Sequence, residues 1–248
     1  MELWNFILNS QKRMDILEEL SLANPQKSLD IAKKLEMRWQ DVSTQLNLFV
    51  EKKLAVKDGT QFYLSKQGQV YKSQIKNLQD LENNIVNYSD FIENHNIEKI
   101  PDCFVRDFLT WEKNKLSHLT SIDVFPFISK NIKGSKIEHL GIFSRVSKDI
   151  QNILPELDSN IIIRIIYPLE EIEKFEDGVP KEKYNIRFIE RKEMYCVMQV
   201  CDKIYSWIGF EDQKNEFDYL DIIEGDDKRF VEWARSNFEY LWSNAQKI

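Results

Sequence analysis

Apolar positions near the start of the chain recur at helical intervals. In "SQKRMDILEEL" (10–20), Met14, Leu17 and Leu20 share one face, and Ser10 stands where an N-cap belongs. "NPQ" breaks the pattern, after which Ser28 can cap a second short helix with Leu29, Ile31, Ala32 and Leu35 as its stripe. A tight turn at 36–38 leads into a third helix whose Val42, Leu46, Phe49 and Val50 face inward. "LAVKDGTQFYLSKQG" then reads as strand, turn at Asp58-Gly59, and strand, a β-hairpin with Val56, Phe62 and Leu64 inward. Three helices followed by a hairpin make the winged form of the helix-turn-helix.

The next stretch, "VYKSQIKNLQDLENNIVNYSDFIENH", sets Ile75, Leu78, Leu81, Ile85, Val86, Phe91 and Ile92 at helical steps. It reads either as a helix packed on a domain or as a connecting and dimerising helix, because its stripe is narrow and its other faces are polar. Pro101 marks a joint before "DCFVRDFLTW". From about residue 114 the pattern changes. "KIEHLGIFSRV" and "NIIIRIIYP" read as buried strands, "LEEIEKFED" as a helix, and "YNIRFIER", "MYCVMQVCD", "KIYSWIGF" and "FDYLDIIEG" as four strands in quick succession. A last helix in "DDKRFVEWARSNFEYLWSNAQ", capped by Asp226 or Asp227, presents Phe230, Trp233, Ala234, Phe238 and Leu241 on one face. The whole predicts an α+β chain: a winged-helix domain at 1–75, a connecting segment at 76–113, and an α/β sandwich at 114–248.

Composition narrows the classes. With 7 Gly and 6 Pro in 248 residues, long irregular segments are not expected, and 15 Phe, 9 Tyr and 6 Trp can fill real cores. No apolar run reaches 18 residues, and the start lacks a basic region and a small-residue cleavage site, so neither a membrane partner nor a signal peptide is expected. Cys103, Cys196 and Cys201 show no metal-ligand spacing. Reduced thiols, a cytoplasmic location, and no metal or cofactor are the expectation. Cys196 and Cys201 sit in an apolar strand run and read as core residues. The net charge of −7 is uneven: residues 1–75 carry 11 Lys/Arg against 9 Asp/Glu, which leaves a net of −9 on the rest. An anionic partner is therefore expected at the N-terminal end only.

The stretch "SLDIAKKLEMRWQDVSTQLNLFVEKKLAVKDGTQFYLSKQG" resembles archaeal and bacterial winged-helix regulators. The shared pattern is small-x-x-x-Ala-x-x-Leu, a turn, Val-Ser-x-x-Leu, a wing with Asp-Gly, and Leu-Ser-x-x-Gly. Glu36 departs from it where a turn glycine is usual, and Lys53 where a glycine often precedes the wing strand. The second half resembles the effector domain of archaeal regulators related to the methanogenesis regulators, in which a winged helix precedes a phospholipase-D-like domain. That likeness is carried by "GIFSRVSKDIQNIL", "IRIIYP", "VCDKIYSWIGF" and "FVEWARSNFEYLW". An active site of that type needs His-x-Lys-x-x-x-x-Asp. With Asp202 in the aspartate position, Tyr195 and Val197 stand where histidine and lysine belong, so the domain is expected to be catalytically inactive. His95, His118 and His139 read as surface or loop histidines, and no other catalytic template matches.

The resemblance implies a dimeric, sequence-specific regulator that binds double-stranded DNA. Base-reading candidates on the third helix are Arg38, Trp39, Gln40, Ser43, Thr44 and Asn47, with Trp39 alternatively packed on the second helix. Lys33, Lys34, Lys57 and Lys66 read either as phosphate contacts or as a solvated lysine face. So few positive charges predict weak binding by one head and favour a homodimer on a palindromic site. By analogy with an old catalytic cleft, Arg164, Arg187, Tyr195, Asp202, Lys203 and Trp207 either line a pocket for a small anionic or apolar effector or are ordinary sheet residues. Two other classes stay open: a winged helix that binds a partner protein as a scaffold module, and a residual phosphodiesterase or nuclease.

Overall fold

A computed structural model describes residues 2–111, 113–174 and 184–247, and the chain divides into two compact units, Met1–Gln79 and Asp80–Ile248. In the first, helices α1 (Glu2–Leu8), α2 (Gln11–Glu19), α3 (Ser28–Lys34) and α4 (Trp39–Glu51) precede a hairpin of β2 (Ala55–Asp58) and β3 (Gln61–Leu64). A two-residue strand β1 (Gln26–Lys27) adds to the hairpin in the order β1-β3-β2, all antiparallel. Val42, Leu46 and Phe49, spaced i, i+4, i+7 on α4, are fully buried with Ile16, Leu17, Ile31, Phe62 and Leu64. Burial at that level contributes about 1.5–3 kcal/mol per large side chain.

Two inward assignments are corrected. Leu29 is exposed because it occupies the outer side of α3, and Val56 is exposed because the buried position of β2 is Ala55, one residue earlier. Ser28 begins α3 rather than capping it; the cap position is Lys27.

Helices α3 and α4 end in the same way. The N–H of Met37 bonds the Ala32 carbonyl (3.0 Å), and the N–H of Leu54 bonds the Phe49 carbonyl (2.8 Å). This six-to-one closure needs a left-handed residue just after the cap, usually glycine. Glu36 (φ 53°) and Lys53 (φ 59°) fill those places. These are the two positions where the sequence departs from the winged-helix pattern. Downstream, Ser65 Oγ donates to the Lys53 carbonyl (2.6 Å) and accepts the N–H of Gly68 (2.9 Å), tying the end of β3 to the start of α5 (Lys66–Asn87). A Cβ on Gly68 would lie 2.0 Å from the Leu54 carbonyl oxygen, so this glycine is required by close approach.

The second unit has a seven-stranded sheet of order β4-β10-β9-β8-β5-β6-β7. The strands are β4 (Lys115–His118), β5 (Glu138–Ile142), β6 (Ile162–Pro168), β7 (Ile186–Ile189), β8 (Cys196–Cys201), β9 (Tyr205–Phe210) and β10 (Asp221–Gly225). β5, β6 and β7 are parallel, and every other pair is antiparallel. Alternate residues feed two cores. Cys196, Met198 and Val200 join one with Ile208, Ile223 and the buried face of α10 (Lys228–Asn244). Val197, Trp207 and Ile222 join the other with α8 (Val124–Gly134) and α9 (Lys148–Ile153). Helices therefore cover both faces, a three-layer arrangement. Asp227 caps α10, accepting the N–H groups of Arg229 (2.9 Å) and Phe230 (3.3 Å), and the five apolar positions expected on its face are buried.

From Asp80 on, the chain belongs to the second unit. Tyr88, Phe91 from α6 (Ser89–Asn94), Ile100 ahead of the short α7 (Asp102–Val105), Phe108, Leu109 and Trp111 lie in the core beneath α10. Within α5, however, Leu78, Ile85 and Val86 are about half exposed or more (50, 47 and 66%). "LEEIEKFED" begins as a 3-10 turn, Leu169–Lys174, and its last three residues lie outside the described residues. His95 and His139 are buried, not on the surface, because each ring finds polar partners inside.

Candidate nucleic-acid interface

Helix α4 is anchored on one side and open on the other. Arg38 occupies the N-cap, and Arg38, Trp39, Gln40, Thr44 and Asn47 are exposed, with Ser43 half-buried. Trp39 combines its two expected roles: its indole N–H donates to Ser28 Oγ on α3 (3.0 Å), while the ring stays 48% exposed. Thr44 donates its hydroxyl back to the Gln40 carbonyl (2.8 Å), so its oxygen can only accept from a ligand. Arg38 offers a guanidinium fork suited to guanine, and Gln40 and Asn47 offer amides suited to adenine.

The surrounding charge is mixed. Lys34 pairs with Glu19 (3.0 Å) in an exposed bridge, which costs little to redirect to a phosphate. Lys57 lies 5.4 Å from the Phe62 ring centroid, and Lys33 and Lys66 are exposed. Three cations were not among the expected contacts. Lys12 pairs with Asp41 of α4 (3.3 Å), Arg13 donates to Gln45 of α4 (2.9 Å) from over the Phe6 ring, and Lys27 sits beside the wing through β1. Only tertiary pairing reveals them: Lys12 and Arg13 reach α4 from α2, and Lys27 lies on a two-residue strand with no readable period.

In the second unit the six expected effector residues do not converge. Arg164 bonds Glu239 (2.9 Å) and Arg187 bonds the Trp242 carbonyl (2.9 Å) with its guanidinium 4.4 Å from that ring. Tyr195 is buried on the α10 side, donating to Asn237 (2.7 Å), and burial pushes its pKa far up. Trp207 is buried on the opposite side and donates to Gln199 (2.6 Å). Asp202 and Lys203 form the β8–β9 turn, both with positive φ. Partial burial pushes the Asp202 pKa up, but N–H donors from Lys136, Ile137 and Glu138 outweigh it and hold the carboxyl below its ordinary value. Val197, in the lysine position of the phosphodiesterase pattern, is completely buried.

A buried polar chain crosses the second core. Trp207 donates to Gln199, whose amide nitrogen faces His139 Nε2 (3.3 Å); His139 Nδ1 faces Ser135 Oγ (3.1 Å), and Ser135 donates to the Asn131 carbonyl (3.0 Å). These bonds are satisfied together when His139 is neutral with its proton on Nδ1. Burial lowers its pKa to about 4. Cys201, beside it, is pushed up to about 11 by burial. Among the described residues no group of three or more His, Cys, Asp or Glu is placed to hold a metal, and no helix is long and apolar enough to cross a membrane.

Fold and interface together define a winged-helix unit joined to a three-layer α/β unit. The whole chain is similar in structure to TrmBL2, an archaeal chromatin protein with a novel mode of DNA binding (TM-score 0.44, 12% identity, covering 100% of this chain and 98% of that one). NucT from Helicobacter pylori and Nuc, a phospholipase D family member from Salmonella typhimurium, each cover 55% of this chain and 99% of their own, both at TM-score 0.40 with 14% and 10% identity. No family model and no curated protein sequence matches. Likeness at this level carries no functional conclusion for this chain.

Proposed function

We propose that this protein is a sequence-specific, double-stranded DNA-binding transcriptional regulator that acts as a homodimer, with a non-catalytic sensing unit after its winged helix. The observation that carries the reading is α4: its apolar face is sealed into the core while Arg38, Gln40, Thr44 and Asn47 form an exposed polar face from its N-cap to its third turn. Such a face can read base edges in a major groove. Affinity must come from elsewhere, namely Lys33, Lys34, Lys57 and Lys66 on each of two heads. The exposed Ile85 and Val86 on α5, both in the second unit, support an apolar contact for the second copy.

The non-catalytic reading rests on β8. Tyr195 and Val197 are sealed in opposite cores, and the Asp202 carboxylate is occupied by backbone N–H groups. A gel shift on the DNA upstream of the protein's own coding region tests the whole proposal. Specific binding by the wild type and its loss in Arg38→Ala/Gln40→Ala is the expected result; equal binding by the double variant would remove α4 from the interface. The competing scaffold reading has its own support in Asp30, Glu36, Glu51 and Asp58, exposed acids interspersed among those lysines. It predicts no specific shift at any salt concentration.

A further inference from the structure

Strand β5 borders the parallel and antiparallel parts of the sheet: β6 runs parallel to it on one side and β8 antiparallel on the other. Beyond the carboxyl end of β5 a crevice opens between α8 and α9. Here the crevice holds a cavity of about 150 Å3, bounded by the first turns of α8, the residues that follow β5, the start of α9, and Tyr219 ahead of β10. None of the six effector residues expected from the sequence lines it.

The chemistry of the walls is divided. Ile128, Phe143 and Ile150 are buried and make an apolar floor. Tyr219 is locked at the back, its hydroxyl accepting the Ser144 N–H (2.9 Å). The mouth carries one cation and one anion, Arg145 and Asp149, both exposed. Neither side chain makes an ion pair or hydrogen bond among the described residues. The 11-residue helix α8 also starts at this crevice, and the positive end of its dipole favours a carboxylate there. A volume of about 150 Å3 over an apolar floor takes a group the size of a branched butyl chain. A guanidinium fork suits a carboxylate, and an unpaired carboxylate suits an ammonium.

We propose that this crevice binds a free apolar α-amino acid of about the size of leucine. Its side chain lies on Ile128, Phe143 and Ile150, its carboxylate meets Arg145 and its ammonium meets Asp149. Binding does not depend on the DNA-binding reading; only its effect on DNA does.

The test uses the full chain in calorimetry and thermal melting with leucine, 4-methylpentanoate and 3-methylbutylamine, which carry both charges, the acid alone and the amine alone. At about a hundredfold excess over Kd, leucine should raise Tm by about 5 °C. Each single-charge analogue should bind about tenfold or more weakly. Arg145→Gln should weaken leucine and 4-methylpentanoate but not the amine, and Asp149→Asn should weaken leucine and the amine but not the acid. Both residues are exposed, so neither change threatens the fold, and circular dichroism checks this. No heat and no shift with leucine, valine or phenylalanine at about 10 mM overturns the proposal. So does leucine binding that is unchanged in both variants, or 4-methylpentanoate binding as tightly as leucine. A gel shift with and without leucine separates the two ideas: bound leucine with unaltered DNA affinity keeps the site and removes its coupling to DNA.

Discussion

Helix α4 and strand β8 are the two places where the sequence resemblance puts chemistry, and they are built in opposite ways. α4 commits one face to the core and turns the rest outward, so Arg38, Gln40, Thr44 and Asn47 reach solvent. β8 is the middle strand of seven, with every residue from Cys196 to Cys201 buried and its two faces serving two cores. A surface helix can change its outer residues without touching the fold. A central strand covered on both sides cannot, because each of its positions is a packing position. Substitutions on α4 should therefore move recognition and leave stability alone, and those on β8 should do the reverse.

The strongest test puts the missing lysine into β8. Val197→Lys buries an ammonium among Phe143, Trp207 and other apolar groups and should cost about 5 kcal/mol, read as a lower denaturation midpoint of the second unit. Tolerance of this change with little loss would mean that β8 has an open face, and the contrast with α4 would collapse. Next in size is the paired change on α4. Arg38→Ala/Gln40→Ala should lose about 3 kcal/mol, roughly a hundredfold, on the specific site while leaving nonspecific binding and Tm unchanged. Lys66→Ala, by contrast, should weaken all sequences alike and lower the salt slope by about one.

Protonation of His139 probes β8 from its partner side. Its folded pKa of about 4 lies below the ordinary 6.5, so the stability it permits is full above pH 6.5 and declines as pH falls toward 4. The loss reaches about 3 kcal/mol at the lower limit, because burial disfavours the imidazolium. Asp202, whose pKa is depressed, adds its own loss only below its ordinary 3.8. His95 acts with the other sign. Burial would lower its pKa, but Asp218 and the Phe91 carbonyl raise it, so its contribution is present below 6.5 and fades as pH rises through the folded value. Replacing His139 with Leu should flatten the limb between pH 6.5 and 4. An undiminished limb in that variant would assign the loss to other groups.

What the sequence makes legible follows the same divide. The winged helix could be read because local rules repeat there: a stripe on α4, an Asp-Gly turn, a Ser-x-x-Gly cap. The six effector residues could not be placed, because which side of a buried strand a residue faces depends on register. Tyr195 lies just before β8, where the strand alternation has not begun, and so falls in a different core from Trp207, which pairs with Gln199; neither placement is visible in "MYCVMQVCD" and "KIYSWIGF". The histidines mislead for a related reason. A polar residue in an apolar run looks like a loop until its partners, here Ser135 and Gln199, are known. The cavity beside β5 draws its wall from α8, α9 and Tyr219, segments far apart in sequence.

The smallest effect isolates backbone from recognition. Glu36 and Lys53 hold left-handed conformations that strain any residue with a Cβ, at a cost of about 1 kcal/mol or more each. Glycine removes that strain and regains part of it as extra freedom in the unfolded chain. Glu36→Gly and Lys53→Gly should each raise stability by about 0.5 kcal/mol, and the two should add, because they close different helices. Chemical denaturation reads the gain. Glu36 also carries an exposed negative charge next to Arg38, so Glu36→Gly should strengthen DNA binding slightly and reduce no base preference. A loss of stability in either variant would mean that the carboxylate or ammonium does more for the folded state than its backbone costs. The helix ends would then have to be counted with α4's recognition face and not with the fold.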